Sequence, residues 1–255
     1  MKFTTLTTGL IVTTALLAPV SVLAGHTAAN NSDWSYAVTP YVWAAGQKGK
    51  VATLPPAPPV DIDVPISDIV DNLDMAFMGI FEAHKGRLGL FTEIFYTSIS
   101  ADTNSPDPSY SKIKYEQDLL TLSFGASYSV SQSQEHNLDV IGGIRFWDLD
   151  NSLKLTAGLS PETKVSEHES WQDPFIGMRS KVWLNPQWTL LGWGIVSVAG
   201  DSDSAFDLFA AVGYEYSDAV SFTAGYRHIE VDYDHGDFLY DVEISGPIIG
   251  GTFRF

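Results

Sequence analysis

The segment "DYDHGD" sets Asp232, Asp234, His235 and Asp237 together, with His228 just upstream. A histidine beside an aspartate is a candidate general base, provided it reaches the proton it removes. No serine stands in a recognisable nucleophile motif near it, and the remaining histidines, His26, His84, His136 and His168, are scattered. The segment lacks the spacing and closing Glu of an EF-hand loop. The chain has no cysteine, and no histidines stand at zinc-ligand spacing. The expectation is therefore no catalytic residue, no metal and no cofactor, with an outer-membrane hydrolase as an alternative. The acidic residues Asp61, Asp63, Asp68, Asp71, Asp74, Asp201, Asp203, Asp232, Asp234 and Asp237 read as solvated loop charge.

A second set of charges is more ordered. Glu82, Glu93, Asp139, Arg145, Asp173, Arg179, Asp207 and Arg227, with Glu215 and Arg254, all occupy the polar phase of segments that alternate residue by residue. In "LLTLSFGASYSV", Leu120, Leu122, Phe124, Ala126, Tyr128 and Val130 share one face, opposite Thr121, Ser123, Gly125, Ser127 and Ser129. That period belongs to a strand with one apolar and one polar side. "AFDLFAAVGYEY", "LDVIGGIRFW" and "VSFTAGYR" repeat it.

Such segments number about ten, near 34–46, 74–85, 87–100, 113–130, 137–156, 163–183, 188–200, 205–217, 220–234 and 238–255. Each can cross a bilayer at a tilt, which takes about 9–11 residues. Tight connections alternate with longer ones at Gly46 to Leu73, Ala101 to Lys112, Gly158 to Thr163, Gly200 to Ser204 and Asp234 to Asp237. Short turns at one rim and longer loops at the other suit a closed antiparallel up-and-down transmembrane β-barrel. An even strand number puts both ends at the short-turn rim, the periplasmic one. The apolar phase carries almost no charge in mid-strand, so it is expected to face lipid and the charged phase the lumen. Trp34, Tyr36, Tyr128, Trp183, Trp188, Tyr214, Tyr216 and Phe255 gather near the short-turn rim as an interfacial girdle.

Buried guanidinium groups need carboxylates at short range, so the lumen charges are expected to form an ion-pair network. The alternative is a narrow channel for small solutes lined by the same residues. In the first long connection Ile66, Ile69, Val70 and Leu73 fall at helical spacing, with Ser67 or Asp68 as cap. That short helix is expected either to cover the mouth or to pack on the rim.

The first 24 residues, with Lys2, an apolar centre and Val22-Leu23-Ala24, read as a signal peptide, leaving residues 25–255 as the barrel domain. The net charge of -17 argues against nucleic-acid binding. Alternation ending in Phe253 and Phe255 resembles the terminal signature read by the outer-membrane assembly machinery. "TPYVWAAGQKG", "DPFIGMRSKVWLN" and "AGYRHIEVDY" resemble a family of small, poorly characterised Gram-negative outer-membrane β-barrel proteins. The resemblance implies fold and location, and neither substrate nor catalytic residues. The expected protein is a monomer in the outer membrane, non-enzymatic, with a mostly filled polar lumen and acidic loops. Its role would lie in envelope structure or surface interaction. Its expected partners are outer-membrane lipids, lipopolysaccharide, the assembly machinery and, on the channel alternative, small solutes.

Overall fold

The computed structural model describes residues 33–54 and 58–255. The leader expected over residues 1–24, the start of the mature chain and His26 lie outside the described residues.

Among the described residues twelve strands and one helix follow in chain order. They are β1 (Ser35–Trp43), β2 (Gly46–Ala52), β3 (Val60–Val64), α1 (Ile66–Asp71), β4 (Leu73–Lys85), β5 (Leu88–Asn104), β6 (Tyr110–Gln132), β7 (His136–Ala157), β8 (Thr163–Trp183), β9 (Trp188–Ser197), β10 (Ser204–Glu215), β11 (Val220–His235) and β12 (Phe238–Arg254). Ten of them, β1 and β4 to β12, form an antiparallel ring that closes where β1 pairs with β12, from Ala37 opposite Arg254 to Trp43 opposite Ile248. A closed ring leaves no unpaired backbone edge at this level, the condition for strands to lie in hydrocarbon.

The alternating faces are oriented with the apolar side out. Phe124, Val140 and Val212 are 48 %, 45 % and 43 % exposed, whereas Ser123, Asp139 and Ala211 on the opposite phase are buried. Outward apolar residues run on β7 from Leu138 to Phe146 and on β6 from Leu120 to Val130. Beyond that band the outward residues turn charged, at Lys48, Asp118, Asp148, Glu230 and Glu243. β6, with 23 residues, is about twice the length needed to span a bilayer. Its excess, with that of β7, β8, β11 and β12, forms a collar above the band.

The collar replaces most of the expected loops. The connection from Gly46 to Leu73 contains β2, β3 and α1 rather than a loop with a helix alone. β2 continues the path of β1 along β12, and β3 folds back on β2. Asp61 and Asp63 therefore lie in β3, Asp74 in β4, and Asp232 and Asp234 in β11. β11 and β12 are joined by the two-residue turn Gly236-Asp237, where Gly236 has φ of 64°, a conformation that favours glycine.

α1 also departs from expectation. Pro65 takes the N-cap position and no side chain caps the helix, because Ser67 and Asp68 lie inside its first turn and bond each other. Leu73 begins β4 instead of ending the helix, and no α1 residue is buried. The helix packs beside β2 at Gly46, where an added Cβ would meet Ile66 N at 3.3 Å. In the girdle, Trp34, Tyr36, Tyr128, Trp188, Tyr216 and Phe255 are exposed. Tyr36 stacks on Phe255 and Tyr214 packs against Trp188. Trp183 is the exception: it lines the lumen, with Lys181 Nζ 5.0 Å from its ring centre.

Candidate functional site

The lumen is built in three layers, each set by which inward residues the strands carry at that height. In the collar the inward residues are apolar. Trp171 of β8 stacks between Trp147 of β7 (5.5 Å) and Tyr233 of β11 (4.4 Å) and touches Tyr240 of β12. Leu149, Val231 and Val242 pack with them and are fully buried. Tyr233 donates to Glu169 Oε1 at 2.7 Å, and Tyr115 to Asn151 Oδ1 at 2.6 Å. Burial, joined by the Glu169 carboxylate, pushes the Tyr233 phenol well up, and burial raises that of Tyr115 to about 12.

The middle layer is ionic. Arg227 of β11 reaches across to β5, donating from Nη1 to Glu93 Oε1 at 2.6 Å and from Nη2 to Glu93 Oε2 at 3.0 Å. The same guanidinium donates from Nη2 and Nε to the two oxygens of Asp207 on β10, at 2.6 and 3.1 Å. Arg145 of β7 donates to Asp207 Oδ2 at 2.8 Å and lies 3.7 Å from Glu93. Two guanidinium groups thus balance two carboxylates in a set that crosses the barrel. Tyr41 donates to Glu93 and Trp193 to Asp207, and Arg227 sits between the rings of Trp43 and Trp193 at 5.2 and 5.3 Å. Arg227 is 2 % exposed and Asp207 0 %.

Toward the short-turn rim the lumen opens into a cavity of about 610 Å³. Arg179 of β8 donates to Glu82 of β4 on the far wall and to Asp139 of β7 at 3.2 Å. Ser129 and Asn137 also donate to Asp139. Nearer the rim Glu215 accepts from Lys181 at 2.5 Å and from Arg254 at 3.1 Å.

The structure thus distributes the lumen charges over three sets: Glu93, Arg145, Asp207 and Arg227 in the middle, Glu82, Asp139 and Arg179 below, and Glu215 and Arg254 with Lys181 at the rim. Asp173 joins none of them. It accepts from Trp147 Nε1 and from the backbone and hydroxyl of Ser202, tying the β9–β10 connection to the wall, and among the described residues it has no cation partner. Sequence reasoning missed the neutral donors Tyr41 and Trp193, the rim cation Lys181 and the whole aromatic collar core. It also missed Asp148, Asp150 and His168, an exposed group on the outer wall with His168 Nδ1 3.1 Å from Asp150. His228 and His235, expected beside aspartates, instead face Glu243 and Glu230, and Glu169. A second cavity of about 410 Å³ lies in the collar between β3 with α1 and the upper part of β5, lined chiefly by Val51, Val60, Ile62, Ile69 and Ile99. Among the described residues β3 pairs with β2 alone, and its other edge borders this seam.

No protein-family model and no curated protein matches the chain. Among solved structures it is similar to the outer membrane protease OmpT from Escherichia coli, with 9 % identity and a TM-score of 0.63, covering 90 % of this chain and 99 % of that one. It also aligns with the translocator domain of the autotransporter NalP from Neisseria meningitidis, at 10 % identity and a TM-score of 0.42 over 89 % and 90 % of the two chains. The likeness to OmpT extends over nearly the whole described chain, and the fold is that of a ten-stranded outer-membrane β-barrel.

Proposed function

We propose that this protein is a monomeric, non-enzymatic barrel of the Gram-negative outer membrane. Its lumen is sealed, and its role lies in envelope structure or surface interaction through the collar. The observation that carries this reading is the middle layer: five hydrogen bonds from Arg227 to Glu93, Asp207 and Tyr41 join β11 to β5, β10 and β1 across the axis. The stacked collar aromatics add a second barrier above it. The ring closure of β1 on β12 supports a monomer. The girdle, including Phe253 and Phe255 on the outward phase, supports contact with lipid headgroups, lipopolysaccharide and the assembly machinery. The short-turn rim would then face the periplasm and the collar the outside.

The channel alternative requires a continuous aqueous path, which the two layers oppose. The hydrolase alternative loses the histidine–aspartate pairs it was built on at His228 and His235. OmpT, although a protease, shares only the fold with this chain at 9 % identity. The refolded protein in a planar bilayer is expected to be electrically silent. Stepwise current from the unmodified protein would overturn the sealed reading.

A further inference from the structure

The cavity under the ionic layer is not a uniform polar space. Its volume of about 610 Å³ falls among those of small-molecule sites. It opens between strand ends at Tyr36, His84, Trp183 and Glu215, and its inner end is apolar, with Ile80, Leu191, Trp193, Phe209 and Ile248. Charged groups stand on its walls as two trios of opposite imbalance. Lys181 and Arg254 share the single carboxylate of Glu215, leaving an excess positive charge. Glu82 and Asp139 share the single guanidinium of Arg179, leaving an excess negative charge, with His84 Nε2 3.5 Å from Glu82 on the rim side.

Each trio has an unpartnered polar atom of matching character beside it. Thr189 is fully buried, lines the cavity and pairs in register with Trp183 and Gly213, next to the positive trio; its hydroxyl has no hydrogen-bond partner. A hydroxyl can donate to an anion. Asn137 Oδ1 is likewise buried without a partner, two residues from Asp139 in the negative trio. An amide oxygen can only accept, as a cation requires. Buried polar atoms left without partners are uncommon and call for an explanation.

We infer that this cavity binds a small zwitterion with an apolar body. The anionic end sits on Lys181, Arg254 and the Thr189 hydroxyl, and the cationic end on Glu82, Asp139 and Asn137 Oδ1. The apolar body lies against Leu191, Trp193 and Phe209. A simple anion would meet the unbalanced Glu82–Asp139 pair, and a simple cation the unbalanced Lys181–Arg254 pair, so one molecule carrying both charges fits best.

The test uses the refolded full barrel in detergent and three peptides with the same body: alanyl-phenylalanine, its N-acetyl form (anion only) and its C-terminal amide (cation only). Binding is read by calorimetry at low ionic strength, with the change in total tryptophan fluorescence as a second signal, since Trp183 and Trp193 line the cavity. The free dipeptide is expected to bind at least about tenfold tighter than either capped form, one charged contact being worth roughly that factor. Lys181→Met leaves Glu215 paired with Arg254. It should weaken the free and acetylated peptides about tenfold while leaving the amide unchanged. Asn137→Ala should weaken the free peptide and the amide but not the acetylated form. Equal binding of the three peptides, no binding of the free dipeptide at millimolar concentration, or an unselective effect of Lys181→Met in a folded barrel would overturn the inference. Whether the barrel conducts is decided separately by the current measurement.

Discussion

Removing the Arg227 guanidinium while keeping its length, as Arg227→Met, isolates the ionic layer. In the native layer two guanidinium groups, Arg145 and Arg227, face two carboxylates, Glu93 and Asp207. The substitution leaves both carboxylates buried with Arg145 alone, and Arg145 stands 3.7 Å from Glu93, too far for a strong hydrogen bond. Breaking a buried pair by deleting one partner costs about 3–5 kcal/mol, chiefly from the uncompensated charge left behind. A second change, Glu93→Gln, restores the balance, since Arg145 and Asp207 remain as one pair at 2.8 Å. The double variant should therefore recover at least half of the loss. Urea unfolding of protein refolded into lipid vesicles, followed by tryptophan fluorescence, measures both variants against the parent. A loss below about 1 kcal/mol for Arg227→Met would refute the claim that charge balance holds this layer, as would a double variant no more stable than the single one. Current measured on Arg227→Met adds a further check: the Trp147–Trp171–Tyr233 stack lies above the layer, so the variant should stay silent.

The remaining predictions concern the band and the collar. Ile144→Lys places a charge on the outward face within the band and should cost about 2–4 kcal/mol, whereas Ser152→Lys, also outward on β7 but in the collar, should cost less than about 1 kcal/mol. Equal costs in the vesicle unfolding assay would mean that the band does not face hydrocarbon. Asp232 lies directly opposite Asp241 on the outer collar wall; burial, together with Asp241, Asp203, Asp234 and Glu230, raises its carboxyl above the ordinary range. Ionised Asp232 therefore opposes folding, so Asp232→Asn should stabilise the collar by roughly 0.2–1 kcal/mol at neutral pH. The gain should vanish as pH falls below the ordinary carboxylate range, where the parent is protonated in both states. An unchanged difference at low pH would rule out charge repulsion as the cause.

The barrel was legible because its strands separate two environments. Alternation in "LLTLSFGASYSV" and the absence of charge from its apolar phase state which side meets lipid, and inward charges such as Asp207 and Arg227 follow from phase alone. What each charge touches was not legible, since partners come from strands far apart in sequence. Asp173 and Arg145 are register partners, yet Arg145 turns to Asp207 and Ser123 while Asp173 turns to Ser202. The β2–β3 hairpin was hidden for a different reason. Its residues alternate Lys48 and Lys50 against Asp61 and Asp63, which in sequence look like a polar loop but pair across strands, with Lys48 3.6 Å from Asp63.

The collar core was hidden by a reversal that the sequence does contain. On β7 the apolar phase runs outward through Leu138, Val140, Ile144 and Phe146, then passes to the inward residues Trp147 and Leu149, while Asp148 and Asp150 take the outer side. β11 does the same between Tyr226 and Ile229, and β12 in the opposite chain direction between Ile244 and Ile249. Each strand is continuous through the change, so no turn marks it. Below the reversal the outside solvent is hydrocarbon and the polar groups must be satisfied within the lumen. Above it the outside solvent is water, and the strand buries its apolar side as a soluble barrel does. Adjacent apolar residues such as Phe146-Trp147 are the place where one rule gives way to the other. Because the polar half must satisfy its charges internally and the apolar half packs on itself, each half sets its own layer of side chains across the lumen for an independent reason. A mutation that loosens the ionic layer would therefore leave the collar barrier standing.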